Sequence, residues 1–238
     1  MLVNRERCLI VNADDFGQSS GVNRGVIEAF EKGVVTSASL MVRWAAAAEA
    51  AAYAREHPEL SIGLHVDLCE WTYSDGAWTP LYEVVGLDNY ENAAREVQAQ
   101  LRHFRQLCGE DPTHMDSHQH VHCEEPVRSI LSEIGSQLGV PVRESGSAIR
   151  YCGSFYGQSA KGEPVPGAIT VDALIDILAR LPEGVTELGC HPGLDDDLST
   201  MYRSERTLEV AVLCDPRIRA AIAAQGIRLC SFRGIHLQ

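Results

Sequence analysis

A strand, a helix and a second strand are predicted by residues 8–41, which read CLIVNADDFGQSSGVNRGVIEAFEKGVVTSASLM. The apolar run Cys8–Ala13 is typical of a buried strand. Gly21–Lys32 carries apolar residues at helical spacing, and Gly33 is a helix stop signal. Val34–Met41 is again apolar and β-branched, as expected of a second strand. A unit of this kind places its two strands parallel in one sheet.

The alternation of strand and helix patterns continues to the C-terminus. Further strands are predicted at Ser61–Leu68, Thr113–Ser117, Val140–Arg143, Glu187–Cys190 and Ile227–Phe232. Further helices are predicted at Ala45–Glu56, Glu91–Leu107, Pro126–Leu138, Val171–Leu181 and residues 205–224. About seven parallel strands with covering helices follow, in a sheet that is either closed as a barrel or open and doubly wound. Since no linker-like stretch or repeat interrupts the pattern, we expect one domain over residues 1–238.

Two stretches between these elements are predicted as long loops. They are Trp71–Asn89 and Gly146–Gly167, both rich in Gly, aromatic and polar residues. Loops of this length in a compact domain are commonly lids or binding walls. The aromatic residues of the first loop fit two roles, stacking on sugar rings or packing within the loop. They are Trp71, Tyr73, Trp78 and Tyr82.

Composition narrows the class of protein. The chain has 238 residues, of which 45% are hydrophobic and 22% charged, as in ordinary globular domains. The formal net charge of −13 argues against a nucleic acid or a membrane surface as partner, because both attract a cationic face. No stretch approaches the roughly 20 apolar residues of a membrane span, and no secretory signal is evident at the first apolar run. We therefore expect a cytoplasmic protein whose eight cysteines are reduced.

A dense group of histidines lies in Thr113–His122, which reads THMDSHQHVH. In an extended chain, alternate residues lie on one face. These residues are His114, Asp116, His118, His120 and His122. If a helix begins inside the segment, His118 and His122 become neighbours one turn apart instead. Either geometry brings imidazoles together on one ion, so the segment favours a metal site over a surface cluster.

Three other features follow predicted strands. Asp14 and Asp15 lie where the first strand ends, and they are equally suited to ligand binding and to capping the next helix. His65 and His191 also end predicted strands. The carboxyl ends of parallel strands form one rim at which ligands bind. Because all these residues fall on that rim, a metal site is the better interpretation, whereas Asp195–Asp197 is expected to be a solvated loop.

Four sequence blocks resemble those of the YdjC-like carbohydrate deacetylases, a group that includes the chitooligosaccharide deacetylases. The blocks are Leu9–Gly17 (LIVNADDFG), Gly63–His65 (GLH), Thr113–His122 and Cys190–Gly193 (CHPG). Their order and spacing extend to Ser231–Arg233, so the resemblance covers nearly the whole chain. The resemblance implies an α/β fold with an incomplete, TIM-barrel-like (β/α) barrel, as in polysaccharide deacetylases.

The resemblance also implies a site and a reaction. One divalent metal ion is expected on Asp15, His65 and His118, with Asp14 beside it as the base. The family is commonly associated with Mg²⁺, whereas one carboxylate with two imidazoles also suits Zn²⁺, so both ions remain open. The expected activity is hydrolysis of the N-acetyl group of a small N-acetylated sugar, which makes the chain a carbohydrate N-deacetylase. Family analogy further suggests a homodimer.

Four further residues of these blocks receive supporting roles under this hypothesis. His191 is the candidate acid for the leaving amine, or the residue that orients the acid. The other three are expected either behind the metal ligands or against the substrate. They are Asp116, His120 and His122.

Two other functions are consistent with parts of the pattern. His118 and His120 form an HxH pair, as in metal-dependent phosphoesterases and amidohydrolases, but those families usually carry HxH on the first strand. A phosphoesterase is also expected to offer basic residues near the phosphate, and the four blocks contain almost none. A non-catalytic sugar- or metal-binding protein has no need of Asp14, so the intact Asp14–Asp15 pair favours an enzyme.

Overall fold

The computed structural model describes residues 6–146, 148–194 and 197–235. Its strands are β1 (Arg7–Phe16), β2 (Ser37–Leu40), β3 (Ser61–Val66), β4 (Cys69–Ser74), β5 (Ala77–Glu83), β6 (Met115–Ser117), β7 (Ile149–Cys152), β8 (Gly184–Cys190) and β9 (Ile227–Leu229). Its helices are α1 (Ser20–Glu31), α2 (Ala47–Glu56), α3 (Tyr90–Cys108), α4 (Val127–Leu138), α5 (Val171–Ala179), α6 (Ser204–Leu213) and α7 (Pro216–Ala224). Short 3-10 segments follow β6 at His118–Cys123 and β9 at Phe232–Gly234.

Seven of the strands form one parallel sheet, which curls into a half-barrel. Its order is β6-β3-β2-β1-β8-β7, and β9 pairs with β1 outside this path. β1 therefore lies at the centre, with β2, β8 and β9 as partners. Among the described residues the end strands β6 and β7 do not pair with each other, so the barrel stays incomplete. The prediction of an incomplete (β/α) barrel is confirmed.

The two faces of β1 pack against different parts of the molecule. Leu9 and Val11 belong to the large core that the sheet forms with the helices. Cys8 and Ile10 point the other way, into a smaller cluster that includes Phe232. A strand buried on both faces must be apolar at successive positions, which explains the continuous run seen in the sequence.

One predicted strand is wrong. Val140–Arg143 forms only an isolated bridge between Val142 and Met115, and Glu144 then turns the chain with a φ of 56°. Arg143 is buried and pairs with the carboxylates of Asp14, Asp116 and Glu187, and the left-handed conformation of Glu144 ends the extended segment. Ile149–Cys152, inside the second predicted loop, instead pairs with β8 as β7.

The first predicted loop, Trp71–Asn89, is also corrected. Most of it forms an antiparallel hairpin of β4 and β5. Asp75 and Gly76 form the turn, with φ values of 52° and 83°. Positive φ at both central residues is the requirement of the two-residue hairpin turn that Asp-Gly favours. The dipeptide was therefore a signal for a hairpin in this stretch.

The helices begin and end close to their predicted bounds, with one division. Residues 205–224 form two helices, because Pro216 opens α7 and the side chain of Asp215 accepts a hydrogen bond from the Arg217 amide. None of the described helices combines the length and the apolar character that crossing a lipid bilayer requires.

Candidate active site

Asp14 and Asp15 both reach one site because β1 is irregular at its end. The register of β1 against β2 shifts between Ala13 and Phe16, and Asp15 has a φ of 65°. Neighbouring side chains of a regular strand point to opposite faces. The left-handed conformation of Asp15 removes that opposition at a cost of about 1–2 kcal/mol. Both carboxylates are buried.

Ser19, rather than either of these aspartates, caps α1. Its side chain accepts a hydrogen bond from the Val22 amide at 3.0 Å. Asp197 supports the same helix end, since its carboxylate accepts from the Gly21 amide and from the Ser19 hydroxyl, each at 2.8 Å. The capping alternative for Asp14 and Asp15 is thus not realised.

The predicted loop Asp195–Asp197 is described only at its last residue. Asp197 is exposed, as expected of a solvated loop, but it also holds the start of α1. Asp195 and Asp196 lie outside the described residues.

Asp15, His65 and His118 form a buried cluster with the chemistry of metal ligands. Oδ1 of Asp15 lies 3.2 Å from Nε2 of His65 and 3.0 Å from Nδ1 of His118. One ligand atom from each residue lies within 4.8 Å of the other two. A carboxylate and two imidazoles match the three protein ligands of a mononuclear hydrolytic metal site.

His65 is oriented by Asp116, which lies on the opposite side of its ring. Nδ1 of His65 donates to Oδ1 of Asp116 at 2.7 Å, so Nε2 faces Asp15. Asp116 is held in turn by the Ser39 hydroxyl at 2.6 Å and by Nη2 of Arg143 at 2.7 Å. A carboxylate behind a histidine ligand fixes the ring and strengthens it as a donor to a metal.

The cluster favours positive charge at its centre. Burial lowers the pKa of His65, but the carboxylates of Asp116 and Asp15 outweigh burial and raise it well above its ordinary value. Burial also lowers the pKa of His118, and Asp15 raises it to about 9. The carboxylates thus favour the protonated, positively charged forms of both imidazoles. A divalent cation bound to the same three residues would also balance the negative charge of the buried carboxylates. The donor set therefore fits a metal ion.

Asp14 is held beside this cluster by Arg143. The guanidinium donates two hydrogen bonds to the Asp14 carboxylate, at 2.7 and 2.8 Å. Burial raises the pKa of Asp14, but the Arg143 charge outweighs burial and lowers the pKa below its ordinary value. Asp14 is therefore ionised at neutral pH and able to accept a proton.

Sequence reasoning missed two buried arginines. Arg143 pairs with Glu187 at 2.6 Å as well as with Asp14, and its guanidinium lies 4.7 Å from the ring centroid of Tyr151. Arg206, on α6, donates to Oδ2 of Asp15 at 2.7 Å. A lone arginine carries no periodic or motif signal. The one available hint was that the predicted site residues include three aspartates and no Lys or Arg, so buried cations are needed to balance them.

His191 directly follows the last residue of β8 and lies close to Asp14. Its Nε2 is 3.8 Å from Oδ2 of Asp14, and its Nδ1 is buried with no hydrogen-bond partner among the described residues. Burial lowers the pKa of His191 to about 4, so the ring is neutral at neutral pH. Glu209 fixes the backbone here, since its carboxylate accepts from the His191 amide and the Tyr202 hydroxyl.

The histidine segment is neither the extended strand nor the α-helix considered from the sequence. Residues 118–123 form a 3-10 segment that is kinked at Gln119 and His120, with φ values of 49° and 55°. His118 faces Asp15, whereas His120 lies against the hydroxyl of Tyr151 at 3.3 Å. His122 is buried and bonded to Ser117. The structure thus gives His118 and His122 separate surroundings.

His114 is buried in the half-barrel, where it contacts Ser39 and Phe232. Its Nε2 lies 3.0 Å from the Ser39 hydroxyl, and its ring stacks on Phe232 with centroids 3.7 Å apart. Burial lowers its pKa to about 3. His114 is therefore a neutral interior residue beneath the cluster.

A cavity of about 680 Å³ opens over the cluster. Its lining includes Asp14, Asp15, His65, His118, His191 and Arg206, together with aromatic rings from several elements. These rings belong to Trp71, Trp78, Tyr151, Phe155, Tyr156 and Tyr202. The hairpin is tied to the 3-10 segment, because Gln119 exchanges two hydrogen bonds with the backbone of Trp71 at 2.8 and 2.9 Å. The predicted aromatic loop residues Trp71 and Trp78 thus line the cavity.

Two known proteins and one crystal structure are similar to this chain over nearly its whole length. The chain is 35% identical to a carbohydrate deacetylase of Geobacillus stearothermophilus, over 95% of this chain and 97% of that protein. It is also 35% identical to a chitooligosaccharide deacetylase of Klebsiella pneumoniae (strain 342), over 97% and 100% of the two chains. A crystal structure from Enterococcus faecalis V583, of a protein named for cellobiose-phosphate cleavage, superposes with a TM-score of 0.78 at 26% identity and covers 96% of this chain and 98% of that one.

The family assignment rests on most of the chain. The model of the YdjC-like protein family matches residues 8–224. This range contains Asp14, Asp15, His65, His118 and His191, which the half-barrel brings to one rim. The chain belongs to the YdjC-like protein family.

Proposed function

We propose that this protein is a single-domain, metal-dependent carbohydrate N-deacetylase that acts on a small N-acetylated sugar. The observation that carries the proposal is the convergence of Asp15, His65 and His118 beside the ionised carboxylate of Asp14. The relatives named as carbohydrate and chitooligosaccharide deacetylases support the same substrate class. The reaction breaks the C–N bond of the acetamide with water, giving acetate and a free amine.

In the proposed mechanism, Asp15, His65 and His118 hold a divalent cation. When bound, such an ion supplies Lewis-acid chemistry, since it acidifies water and polarises a carbonyl. Asp14 accepts the proton of the attacking water at its carboxylate. The paired guanidinium of Arg143 keeps Asp14 ionised and fixes its two oxygens in place.

His191 serves the leaving group. Its Nε2 is close enough to Oδ2 of Asp14, at 3.8 Å, for a proton taken up by Asp14 to pass to the imidazole with a small movement. The neutral ring has an available nitrogen at neutral pH, because its pKa is about 4. Once protonated, His191 donates to the amine as the C–N bond breaks.

The cavity supports a sugar as the substrate. Its volume of about 680 Å³ falls in the range of small-ligand sites. Trp71 and Trp78 stand on the hairpin with side chains that are partly exposed and face the cavity. Aromatic faces of this kind pack against the apolar faces of sugar rings.

A phosphorylated substrate is the second candidate, because the similar Enterococcus faecalis structure is named for cellobiose-phosphate cleavage. The charges of this cavity disfavour it. Among the described residues that line the cavity, Arg206 is the only Lys or Arg, and its guanidinium is already paired with the Asp15 carboxylate. Four carboxylates line the same cavity: Asp14, Asp15, Glu70 and Glu144. A neutral sugar therefore fits better than a sugar phosphate.

The test compares two products from two kinds of substrate. Acetate release is measured from N-acetylglucosamine and diacetylchitobiose, and phosphate release from a phosphorylated disaccharide, each with and without EDTA. We expect acetate release that EDTA abolishes and that Mg²⁺ or Zn²⁺ restores. Phosphate release without acetate release would contradict the deacetylase proposal and identify the protein as a phosphoesterase.

A further inference from the structure

A second group of metal-ligating side chains lies beside the cavity and shares no residue with the first. It consists of His120, His122, Cys123 and Glu144, and we call it the Cys123 cluster. One ligand atom from each member lies within 4.8 Å of the others. Three members come from the 3-10 segment after β6, and Glu144 comes from the turn at which the predicted strand Val140–Arg143 ends.

The individual contacts centre on the Glu144 carboxylate. Its Oε2 lies 3.5 Å from Sγ of Cys123 and 3.6 Å from Nδ1 of His120. The rings of His120 and His122 have centroids 5.4 Å apart. These separations bring a carboxylate, a thiol and two imidazoles close together, and no arginine among the described residues forms a salt bridge with Glu144.

His122 provides an independent reason to expect a ligand. Its side chain is only 2% exposed. Nδ1 is bonded to the Ser117 hydroxyl at 2.7 Å, and Nε2 is buried with no hydrogen-bond partner among the described residues. A buried polar atom without a partner costs about 1–3 kcal/mol, so such atoms usually serve a ligand or an ion. Nε2 is the atom of His122 that remains to coordinate.

The donor set identifies the class of ion. A thiolate, two imidazoles and a carboxylate are the ligands of tetrahedral Zn²⁺ sites, whereas Mg²⁺ takes oxygen ligands. The thiolate and the carboxylate together carry two negative charges, which balance a divalent ion. Cys123 gives up its thiol proton on binding, so one proton is released for each ion.

We propose that the Cys123 cluster is a second cation site, specific for Zn²⁺-class ions, in the wall of the cavity. Because His120 and Glu144 both line the cavity, an ion bound here ties the 3-10 segment to the Glu144 turn and shapes the wall next to the substrate. The site shares no ligand with the Asp15 cluster, so its metal binding can be tested separately from the proposed deacetylase activity.

Cobalt titration of the metal-free full chain under anaerobic conditions tests the proposal. Co²⁺ reports on Zn²⁺ sites, and a thiolate ligand adds a charge-transfer band in the near ultraviolet. We expect two equivalents of Co²⁺ per chain, one of which produces the band. One equivalent without the band would overturn the proposal.

Variants assign the band to its residues. Cys123→Ser should abolish the band, whereas Cys108→Ser, at a cysteine on α3 outside the cluster, should keep it. His65→Ala should lose the Co²⁺ ion of the Asp15 cluster and keep the band. This result would distinguish the Cys123 cluster from the Asp15 cluster. Glu144→Gln, at a side chain that is 45% exposed, should keep the band. It should weaken the affinity of the Cys123 cluster for Co²⁺ by at least about tenfold. A band that survives Cys123→Ser, or an affinity unchanged by Glu144→Gln, would refute the site.

Discussion

Asp116 accepts a hydrogen bond from Nδ1 of His65 at 2.7 Å, on the side of the ring that faces away from Asp15. This contact decides which ring nitrogen of His65 is presented to the proposed metal ion. Asp116 thus acts on the ion through His65. The metal affinity should consequently depend on a residue that is not itself among the three proposed ligands.

Replacing Asp116 by Asn should weaken metal binding by roughly 10–100-fold, as the loss of a carboxylate behind a histidine ligand does. The Asn side chain still accepts a hydrogen bond but lacks the charge that strengthens His65 as a donor. The affinity is measured by calorimetric titration with Mg²⁺ and Zn²⁺. Asp176→Asn, at an exposed position of α5, is the matched control. Equal affinity in the two variants would show that Asp116 has no such role.

Removing Arg143 should destabilise the fold. Its side chain is 1% exposed and pairs with Asp14, Asp116 and Glu187. Arg143→Met leaves these carboxylates buried without their cation, which costs about 3–5 kcal/mol in the free energy of unfolding. Urea denaturation measures the loss. The control Arg150→Met, at an exposed arginine of β7, should change stability by no more than about 0.5 kcal/mol.

Arg143→Met should also shift the pH dependence of the reaction. Arg143 lowers the pKa of Asp14, so Arg143→Met should raise it and shift the acid limb of kcat/KM to higher pH. A folded Arg143→Met protein with an unchanged acid limb would contradict the assignment of Asp14 as the base.

His114 should make stability fall at acid pH. Its pKa is lowered to about 3 in the folded protein, below the ordinary value, so between these values the unfolded chain binds a proton that the folded chain does not. His114 therefore lowers the free energy of unfolding as the pH falls below 6.5, by up to about 1.4 kcal/mol per pH unit. Relative to wild type, His114→Gln should become progressively more stable from pH 6.5 to pH 4. A constant difference in unfolding free energy over that range would rule out a neutral buried His114.

The aromatic hairpin should matter more for longer substrates than for a single sugar. Trp78 is 45% exposed and lines the cavity, so Trp78→Ala is expected to fold normally. Loss of one stacking contact of about 0.5–1.5 kcal/mol corresponds to a several-fold drop in kcat/KM for diacetylchitobiose. The value for N-acetylglucosamine should change less. Tyr90→Ala, at an exposed aromatic outside the cavity lining, is the control, and equal effects on both sugars would argue against a sugar-stacking role.

The half-barrel was predictable because its signals are local and repeated. The run Cys8–Ala13 and the helical spacing of Gly21–Lys32 each predict one element, and the alternation predicts the parallel sheet. The hairpin of β4 and β5 was missed although Asp75-Gly76 is a local signal for it, whereas the error at Val140–Arg143 arose where tertiary contacts decide the conformation. Val140–Arg143 has strand-like residues, but it forms only the bridge at Val142, because Arg143 pairs with buried carboxylates and Glu144 turns the chain.

The residues of the candidate site that end strands were predictable, but Arg143, Arg206 and the arrangement of the site were not. The position of Asp14, Asp15, His65 and His191 at strand ends follows from the pattern alone. How Asp15 joins Asp14 on one site depends on a local φ of 65° that no spacing reveals. The partnership of Arg206 with Asp15 joins residues 191 positions apart in the chain, so it emerges only from the fold.

Acetate release by Asp14→Asn is the most direct test of the central claim, that a metal site and an adjacent base together hydrolyse an N-acetyl group. The variant is loaded in turn with Mg²⁺ and Zn²⁺ and compared with wild type and Asp176→Asn on diacetylchitobiose, with the bound metal quantified in each. We predict that Asp14→Asn keeps its metal and loses acetate release by about 100-fold or more, the contribution of a general base. Acetate release close to that of wild type, in a variant with its metal bound, would contradict the account.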